Sequence, residues 1–518
     1  MSAGLAFLAS APAQAVCTIA PAGSPVAGSV TCAATTTTDT TYAAGATASD
    51  RNYNVDTSTT AFTGTVSTGA LVDGVGLAFT NTVGGANTLN VVNNGTVQIN
   101  ALAAASAGGN DALNITAIGA TSVNYSGTGN VLNLGTIGNG LNITSAGTGN
   151  LTATVGGNVT SAAGPGNDSG VGIYLFQTGT AGNVQITTTA GRTITADFVG
   201  VLADASNTAT TGTVQVTNNA NIVGLVANGL DYGIAAQSAG SGSLTISNTG
   251  AIGSATDRIS INGILGQVAN ATNSTGLSIT GTGAIFGSGT AIQANNSGTG
   301  TSTVNYTGAI NTTGTTGVNS ITTTGANNVT TGAVTAATNA VVVTSTGVAP
   351  AAQTINANGV TIGTTGSGIV SSSAGVRNIS VGASGNVTGG TQAILLSNTG
   401  GGSISNSGTI GGLSTGLAVN AATATAPVTV TNNAAGILNG RLTLGTAADS
   451  LVNGGTFNTQ GTTDFGAGAD VLNNQSAGII NILGATSFTN LETFTQNGRI
   501  NLNANVLTLT AIPFTNGT

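Results

Sequence analysis

Three groups of side chains in this sequence have types and spacings that could do chemistry. Cys17 and Cys32 lie 15 residues apart near the start. Asp197 and Asp204 are a close pair of acids in mid-chain, with Arg192 just before them. Asp449 and Asp470 recur in two related segments, Leu444–Asn453 and Phe465–Asn474, which share the pattern G-x-x-A-D-x-L. The cysteines could form a disulfide, which an oxidising compartment favours. The mid-chain acids could serve glycoside hydrolysis, which needs two carboxylates about 5–10 Å apart. Gly466, Gly468, Asp470 and Leu472 partly match a calcium-binding nonapeptide, but that site needs tandem copies.

The rest of the composition removes most other chemistry. Among 518 residues there is no His and no Lys, and the six basic residues are Arg51, Arg192, Arg258, Arg377, Arg441 and Arg499. Without His no Ser-His-Asp system exists. Two cysteines cannot make a Cys-only zinc site. A P-loop needs Lys. Scattered Arg and a net charge of −8 leave no basic footprint for nucleic acid. Asp73, Asp111, Asp168 and Asp231 are single acids, read as solvated turn residues. Asp449 and Asp470 are 21 residues apart and are read as corner aspartates ahead of an inward Val471 or Leu472. A flat threonine face of the ice-binding kind would need T-x-T on many coils, and it recurs only irregularly.

The elements that would carry these groups come from a repeat. One unit reads V-x-V-[ST]-N-x-x-x-x-I, as at Val214 to Ile222 and Leu244 to Ile252. Its anchors are expected at Leu89, Val123, Leu151, Val184, Val214, Leu244, Leu277, Val304, Val329, Ile355, Ile379, Ile404 and Val428. A second motif, a small residue then an apolar one, recurs at Gly233-Ile234, Gly263-Ile264, Ala291-Ile292, Gly317-Val318, Ala340-Val341, Gly368-Ile369, Ala393-Ile394 and Gly416-Leu417. Both keep a period of about 25 residues with two-residue alternation, which is strand periodicity. Val, Ile and Thr favour strands, and Gly, Asn and Asp supply the corners. The expected fold is an all-β, right-handed parallel β-helix, a β-solenoid with three short strands per coil. Stacked strands would lie about 4.8 Å apart. The repeated Asn after the first strand should form a side-chain ladder at one corner.

Residues 1–15 contain a short apolar run and the A-x-A site Ala13-Gln14-Ala15, so a secretory signal peptide cleaved after Ala15 is expected. Closing the Cys17–Cys32 loop would remove unfolded-state entropy worth roughly 3 kcal/mol. No later run approaches the 18 or so apolar residues of a membrane helix.

With its coils, its SNTGAIG (Ser247–Gly253) and SNSGTIGG (Ser405–Gly412) segments, and SFTNLETFTQNGRINL at Ser487–Leu502, the chain resembles the passenger region of bacterial autotransporters. The Cys17 to Cys32 segment, the Thr-rich stretch after it and Tyr53-Asn54-Val55-Asp56 are similar to the start of such passengers. The resemblance implies an extracellular or bacterial cell-surface location. It also implies an outer-membrane translocator barrel, expected as a separate chain or beyond Thr518.

The expected organisation is a signal peptide at 1–15, an N-terminal cap and first coils at 16–88, a repetitive β-helix at 89–439, and C-terminal coils at 440–518. The expected function is a non-enzymatic, adhesin-like or structural surface passenger. It would use no cofactor and no metal, bind an unknown surface ligand, and not bind nucleic acid. The rival reading is a polysaccharide-active β-helix enzyme, favoured if two carboxylates and an Arg converge in one groove.

Overall fold

The computed structural model describes residues 15–17, 29–34, 52–72, 76–99, 111–135, 137–161, 170–225, 229–412, 416–509 and 514–516. Among them are 52 short strands and no helix. The chain is a parallel β-helix, as its periodicity predicts. Its coils divide into two compact units, residues 1–230 and 231–518. The expected signal segment 1–14 lies outside the described residues, as do Asp73 and Asp168.

In the first unit three strands make each coil, and each pairs with its equivalent in the next. One series runs Phe62–Val66, Thr88–Asn93, Ser122–Gly127, Leu151–Val155, Val184–Thr188 and Val214–Asn218, all parallel. A second, shorter series includes Thr96–Ile99, Asn130–Asn133 and Val159–Thr160. The third runs Asn52–Asp56, Leu77–Val83, Leu113–Ala117, Leu141–Ser145, Val171–Gln177 and Val199–Ala205. Leu89, Val123, Leu151, Val184 and Val214 face one another in register. All five are buried, because alternate residues of a strand share one face.

The second unit repeats the plan. Val304, Val329, Ile355, Ile379 and Ile404 stack in register. Three expected anchors move by two residues. Ile404 pairs with Val430 rather than Val428. Val304 pairs with Ile279 rather than Leu277. Ile394 pairs with Val419, so the small–apolar motif is Ala418-Val419 rather than Gly416-Leu417. For Leu277 and Val428 the cause is an interior column that is not apolar. Leu277 is followed inward by Ser302, Asn327, Gln353, Arg377 and Gly402 before Val428 restores it. A pattern search for aliphatic anchors jumps to the next inward position over these coils. The face is unchanged, because the slip equals the strand period.

The small residue of the second motif has a steric reason. A Cβ on Gly317 would overlap the Val334 side chain of the adjoining strand, and the same close approach recurs between Gly368 and Val387. Toward the C-terminus the coils shorten: Val430, Leu451, Leu472 and Phe494 are in register. Phe488 fills their interior against Phe457, Phe465 and Phe494, each with ring centroids 6.3 Å away.

Arg377 is the exception in the core. It is only 1% exposed. Its Nη1 donates to the backbone oxygens of Ser371 (3.2 Å) and Ser397 (2.7 Å), and its Nη2 to that of Asn398 (3.4 Å). Its Nε has no partner. Burial pushes its pKa down to about 10. Carbonyl dipoles replace part of its hydration, but the charge still carries a desolvation cost. Ile379, two residues on, faces the same interior and is 2% exposed. Ile379→Asp should therefore cost roughly 3 kcal/mol or more, because it buries a charge and removes an aliphatic contact. Arg377→Gln, which removes a charge and continues the Gln353 column, should stay within about 1 kcal/mol of wild type. Denaturant unfolding of both variants checks the contrast; equal losses would mean that Arg377 is needed in its charged form.

Candidate functional site

The backbone pairing sets the two N-terminal cysteines opposite each other. Strand Ala15–Cys17 pairs antiparallel with Ser29–Ala34, with Cys17 directly opposite Cys32. Opposed residues in an antiparallel pair have Cα atoms about 4.5–5.5 Å apart, inside disulfide reach. Cys32 is buried. Ala15, the expected cleavage residue, opens that strand opposite Ala34. Ser29–Ala34 continues into the parallel stack through Phe62–Val66.

The mid-chain acids do not converge. Asp197 lies in the corner before strand Val199–Ala205, and Asp204 lies near the strand's end. Five extended steps from Val199 to Asp204 span roughly 16 Å, beyond the reach of a paired-carboxylate mechanism. Arg192 precedes strand Thr193–Ala196, ahead of that corner. Asp111 instead binds the next coil: its Oδ1 accepts from the Asn139 N–H (2.8 Å) and its Oδ2 from Asn142 Nδ2 (2.6 Å). Among the described residues, no group of three or more His, Cys, Asp or Glu is placed to hold a metal ion.

Asp449 and Asp470 belong to a corner ladder that Glu492 continues. The Val428 N–H donates to Asp449 Oδ1 (2.7 Å) and the Gly445 N–H to its Oδ2 (2.9 Å). The Asp449 N–H donates to Asp470 Oδ1 (2.6 Å), and the Asp470 N–H to Glu492 Oε2 (2.8 Å). Each carboxylate thus caps a strand start in the coil before it. Leu472 is the inward residue that follows Asp470; Val471 faces outward, half-buried. Asp470 Oδ2 is buried without a partner. Burial pushes the Asp470 carboxyl up to about 6, and the charges of Asp449 and Glu492 add to the rise. Burial raises Asp449 as well.

The expected asparagine ladder is present and buried from Asn406 onward, whereas Asn218 and Asn248 at the same place in earlier coils donate to their own corners, at Ala220 O (2.9 Å) and Gly250 O (2.8 Å). Asn406 Nδ2 donates to Asn432 Oδ1 (2.8 Å), Asn432 to Asn453 (2.8 Å), Asn453 to Asn474 (2.7 Å), and Asn474 to Gln496 Oε1 (3.0 Å). The same nitrogens donate to backbone oxygens of the next coil, as Asn432 does to Thr456 (3.1 Å). The glycine of N-x-G is explained too: its N–H donates back to Asn406 Oδ1 (3.1 Å), and a Cβ on Gly408 would overlap the backbone oxygens of Gly385 and Gly382. A second, half-buried ladder, Asn439–Asn458–Asn481–Asn501, joins side chains at 2.6–2.7 Å. Sequence reading missed it, because its members follow a different strand of the coil.

One more cluster was not legible in the sequence. On the outer face of the first unit, Tyr174 and Phe176 stack on one another on strand Val171–Gln177, with ring centroids 5.6 Å apart and an interplanar angle of 20°. Asn142 and Thr144 flank them on one side, Leu202 and Asp204 on the other. Asn114 follows beyond Asn142. Asn114 Oδ1, Asn142 Oδ1 and Asp204 Oδ1 are all buried without a hydrogen-bond partner. Burial raises the Asp204 carboxyl to about 6. Tyr174 rises to about 12 through burial and the Asp204 charge.

Comparison with known protein families, characterised proteins and solved structures returns no match. The functional reading therefore rests on the geometry of this chain.

Two outcomes follow for the ladders. Asn453→Ala leaves buried amide groups of Asn432 and Asn474 unpaired and should cost roughly 1–3 kcal/mol. Asn481→Ala in the half-buried ladder should cost less than about 1 kcal/mol, and denaturant unfolding of the two variants compares them. The second outcome concerns pH. Asp470 binds its proton more tightly folded than unfolded. Its contribution to stability is therefore full below about 4 and lost as pH rises through about 6. No His is present to mask this window. Hydrogen-exchange protection over residues 440–509, taken relative to the intrinsic exchange rate at each pH, should rise on acidification from neutral pH to about 5, and Asp470→Asn should flatten that response. Lower protection at the lower pH would reject the assignment.

Proposed function

We propose that this chain is a secreted, surface-exposed, non-enzymatic β-helical passenger that acts as an adhesin-like or structural stalk. The observation that supports this most is the outer face of one sheet in the second unit. Coil after coil presents two outward side chains there, all small, uncharged and polar: Thr245 and Ser247, Ser278 and Thr280, Thr303 and Asn305, Asn328 and Thr330. The columns continue through Thr354, Asn378, Ser403 and Thr429. Neighbours bond along them, as Asn356 Nδ2 does to Thr330 Oγ1 (3.1 Å) and Ser403 Oγ to Asn378 Oδ1 (3.0 Å). A face that repeats one weak contact many times suits multivalent attachment, where linked contacts raise avidity. It suits catalysis poorly, since every coil offers the same groups.

Secretion accounts for two further features of the reading. The Cys17–Cys32 register would be oxidised outside the cytoplasm, and a coil stack needs no metal or cofactor to hold together. A translocator barrel is the partner that this route requires.

The test is protease treatment of intact producing cells, followed by adherence of beads coated with the purified chain to abiotic and glycan-coated surfaces. Digestion without lysis and bead retention are expected. Protein that stays protected until the cells are broken would reject the surface reading. In the exported protein, Cys17 and Cys32 should resist alkylation until reduced; ready labelling of both in unreduced protein would reject the bridge.

A further inference from the structure

Arg377 is the one charged member of the polar interior column. Gln353 precedes it in register, with Asn327 and Ser302 before that, and Gly402 follows. The neutral members balance one another. Ser302 Oγ and Ser320 Oγ share a hydrogen bond (3.3 Å), and Ser320 Oγ donates to Asn327 Oδ1 (2.7 Å). Gln353 Nε2 donates to Ser345 Oγ (3.0 Å), and Ser371 Oγ donates to Gln353 Oε1 (2.6 Å). At Arg377 that balance stops. A guanidinium has five N–H groups. Three donate to the backbone oxygens of Ser371, Ser397 and Asn398. The Nε–H is buried without an acceptor, and one N–H of Nη2 is left over. Nε and Nη2 share one edge of the planar fork, and such an edge can grip an anion through two parallel bonds.

No carboxylate balances the charge either. The sequence holds no Asp or Glu between Asp257 and Asp449. Both oxygens of Asp449 are committed to the N–H groups of Val428 and Gly445. Val428 stands two coils beyond Arg377 in the column, roughly 10 Å away at about 4.8 Å per coil. Proton loss does not remove the charge, because burial lowers the guanidinium only to about 10. A buried charge needs a partner. The following coil places Gly402 in register with Arg377, so no side chain from that coil stacks on the guanidinium.

We propose that the Nε–Nη2 edge of Arg377 binds a small monovalent inorganic anion, chloride in a saline medium, enclosed in the interior of the second unit. The ion supplies the charge that residues 258–448 lack. Charge selects a monovalent ion, since a divalent one would leave a net buried charge of the opposite sign. Enclosure selects a small one: Arg377 is buried, which leaves no mouth for an organic carboxylate. The inference is independent of where the chain is displayed. The small effect expected of Arg377→Gln then applies where chloride is scarce and grows as chloride is added.

The test is hydrogen exchange of the purified full chain at fixed pH and ionic strength, with sodium chloride replacing sodium gluconate in steps. By linkage, a dissociation constant of about 10 mM gives roughly tenfold higher protection at about 100 mM chloride than at about 1 mM. The rise is expected in the coils around Arg377, residues 353–406. Coils at residues 89–155 should not respond, because coupling in a coil stack is local. Arg377→Gln should abolish the response. In crystals grown with bromide in place of chloride, an anomalous peak should lie beside Arg377 Nε. The coil comparison and the bromide peak need no variant, so they decide the matter even if Arg377→Gln folds poorly. Protection that ignores chloride, an equal rise in both sets of coils, an equal response in Arg377→Gln, or crystals with no bromide peak at Nε would each overturn the proposal.

Discussion

The whole structure depends on closing each coil without stranding a backbone group. The strands satisfy their own N–H and C=O groups through the coils above and below, but the corners cannot. A corner turned inward, away from water, would leave donors and acceptors unpaired, each at a cost of about 1–3 kcal/mol. This protein meets the problem with short polar side chains at fixed places. In the second unit, inward asparagines bond to one another and to the next coil's carbonyls, from Asn406 through Asn474. Further on, Asp449, Asp470 and Glu492 accept the N–H groups that start the strands of preceding coils. In the first unit, Asn130 Oδ1 accepts from the Asn158 N–H (3.0 Å) and Asn158 Oδ1 from the Thr193 N–H (3.0 Å).

Composition follows from that geometry. The turns are tight, so Gly, Ser, Thr and Asn dominate them, and Gly alone contributes 82 residues. Long charged side chains have little place in such an array: identical positions stack on successive strands, and like charges stacked about 4.8 Å apart repel. A charged content of 4% is the result. Where carboxylates do stack, at Asp449, Asp470 and Glu492, the carboxyl groups of the two aspartates are pushed toward the neutral form. Arg377 is accommodated inward because backbone carbonyls of Ser371 and Ser397 accept from its guanidinium.

These rules also decide what could be read from sequence. Strand periodicity, the coil length and the Asn ladder are local and repeat, so they were visible in the order of residues. The register failed where the first inward column turned polar, over Ser302, Asn327, Gln353, Arg377 and Gly402. An aliphatic pattern has no means of recognising Arg377 as interior, since its burial depends on carbonyls of Ser371 and Ser397 that only the folded coil brings near. The acid ladder was half legible: Asp449 and Asp470 share a motif, whereas Glu492 lies in a different one and joins them only through the spacing of coils. The Tyr174–Phe176 cluster was not legible at all. Its members come from coils of unequal length, so no fixed period links Asn114, Asn142, Tyr174 and Asp204.

That contrast separates scaffold from site in physical terms. Inward positions are constrained by the coils on both sides, so a change at Ile379 is felt by Ile355 and Ile404, its neighbours in register. Outward positions bond mostly along their own column, as Ser403 does to Asn378, and fewer neighbours constrain them. Selection for folding therefore acts on one half of each strand, and selection for contact with the outside acts on the other. A repeated outer column such as Thr303, Asn328 and Thr354 meets both demands at once, since its side chains solvate the sheet and bond to their neighbours. The aromatic pair does not: it exposes apolar surface and leaves acceptors unpaired beside it. A departure of that kind, on the half of the strand that folding leaves free, is where a specific contact would leave its mark.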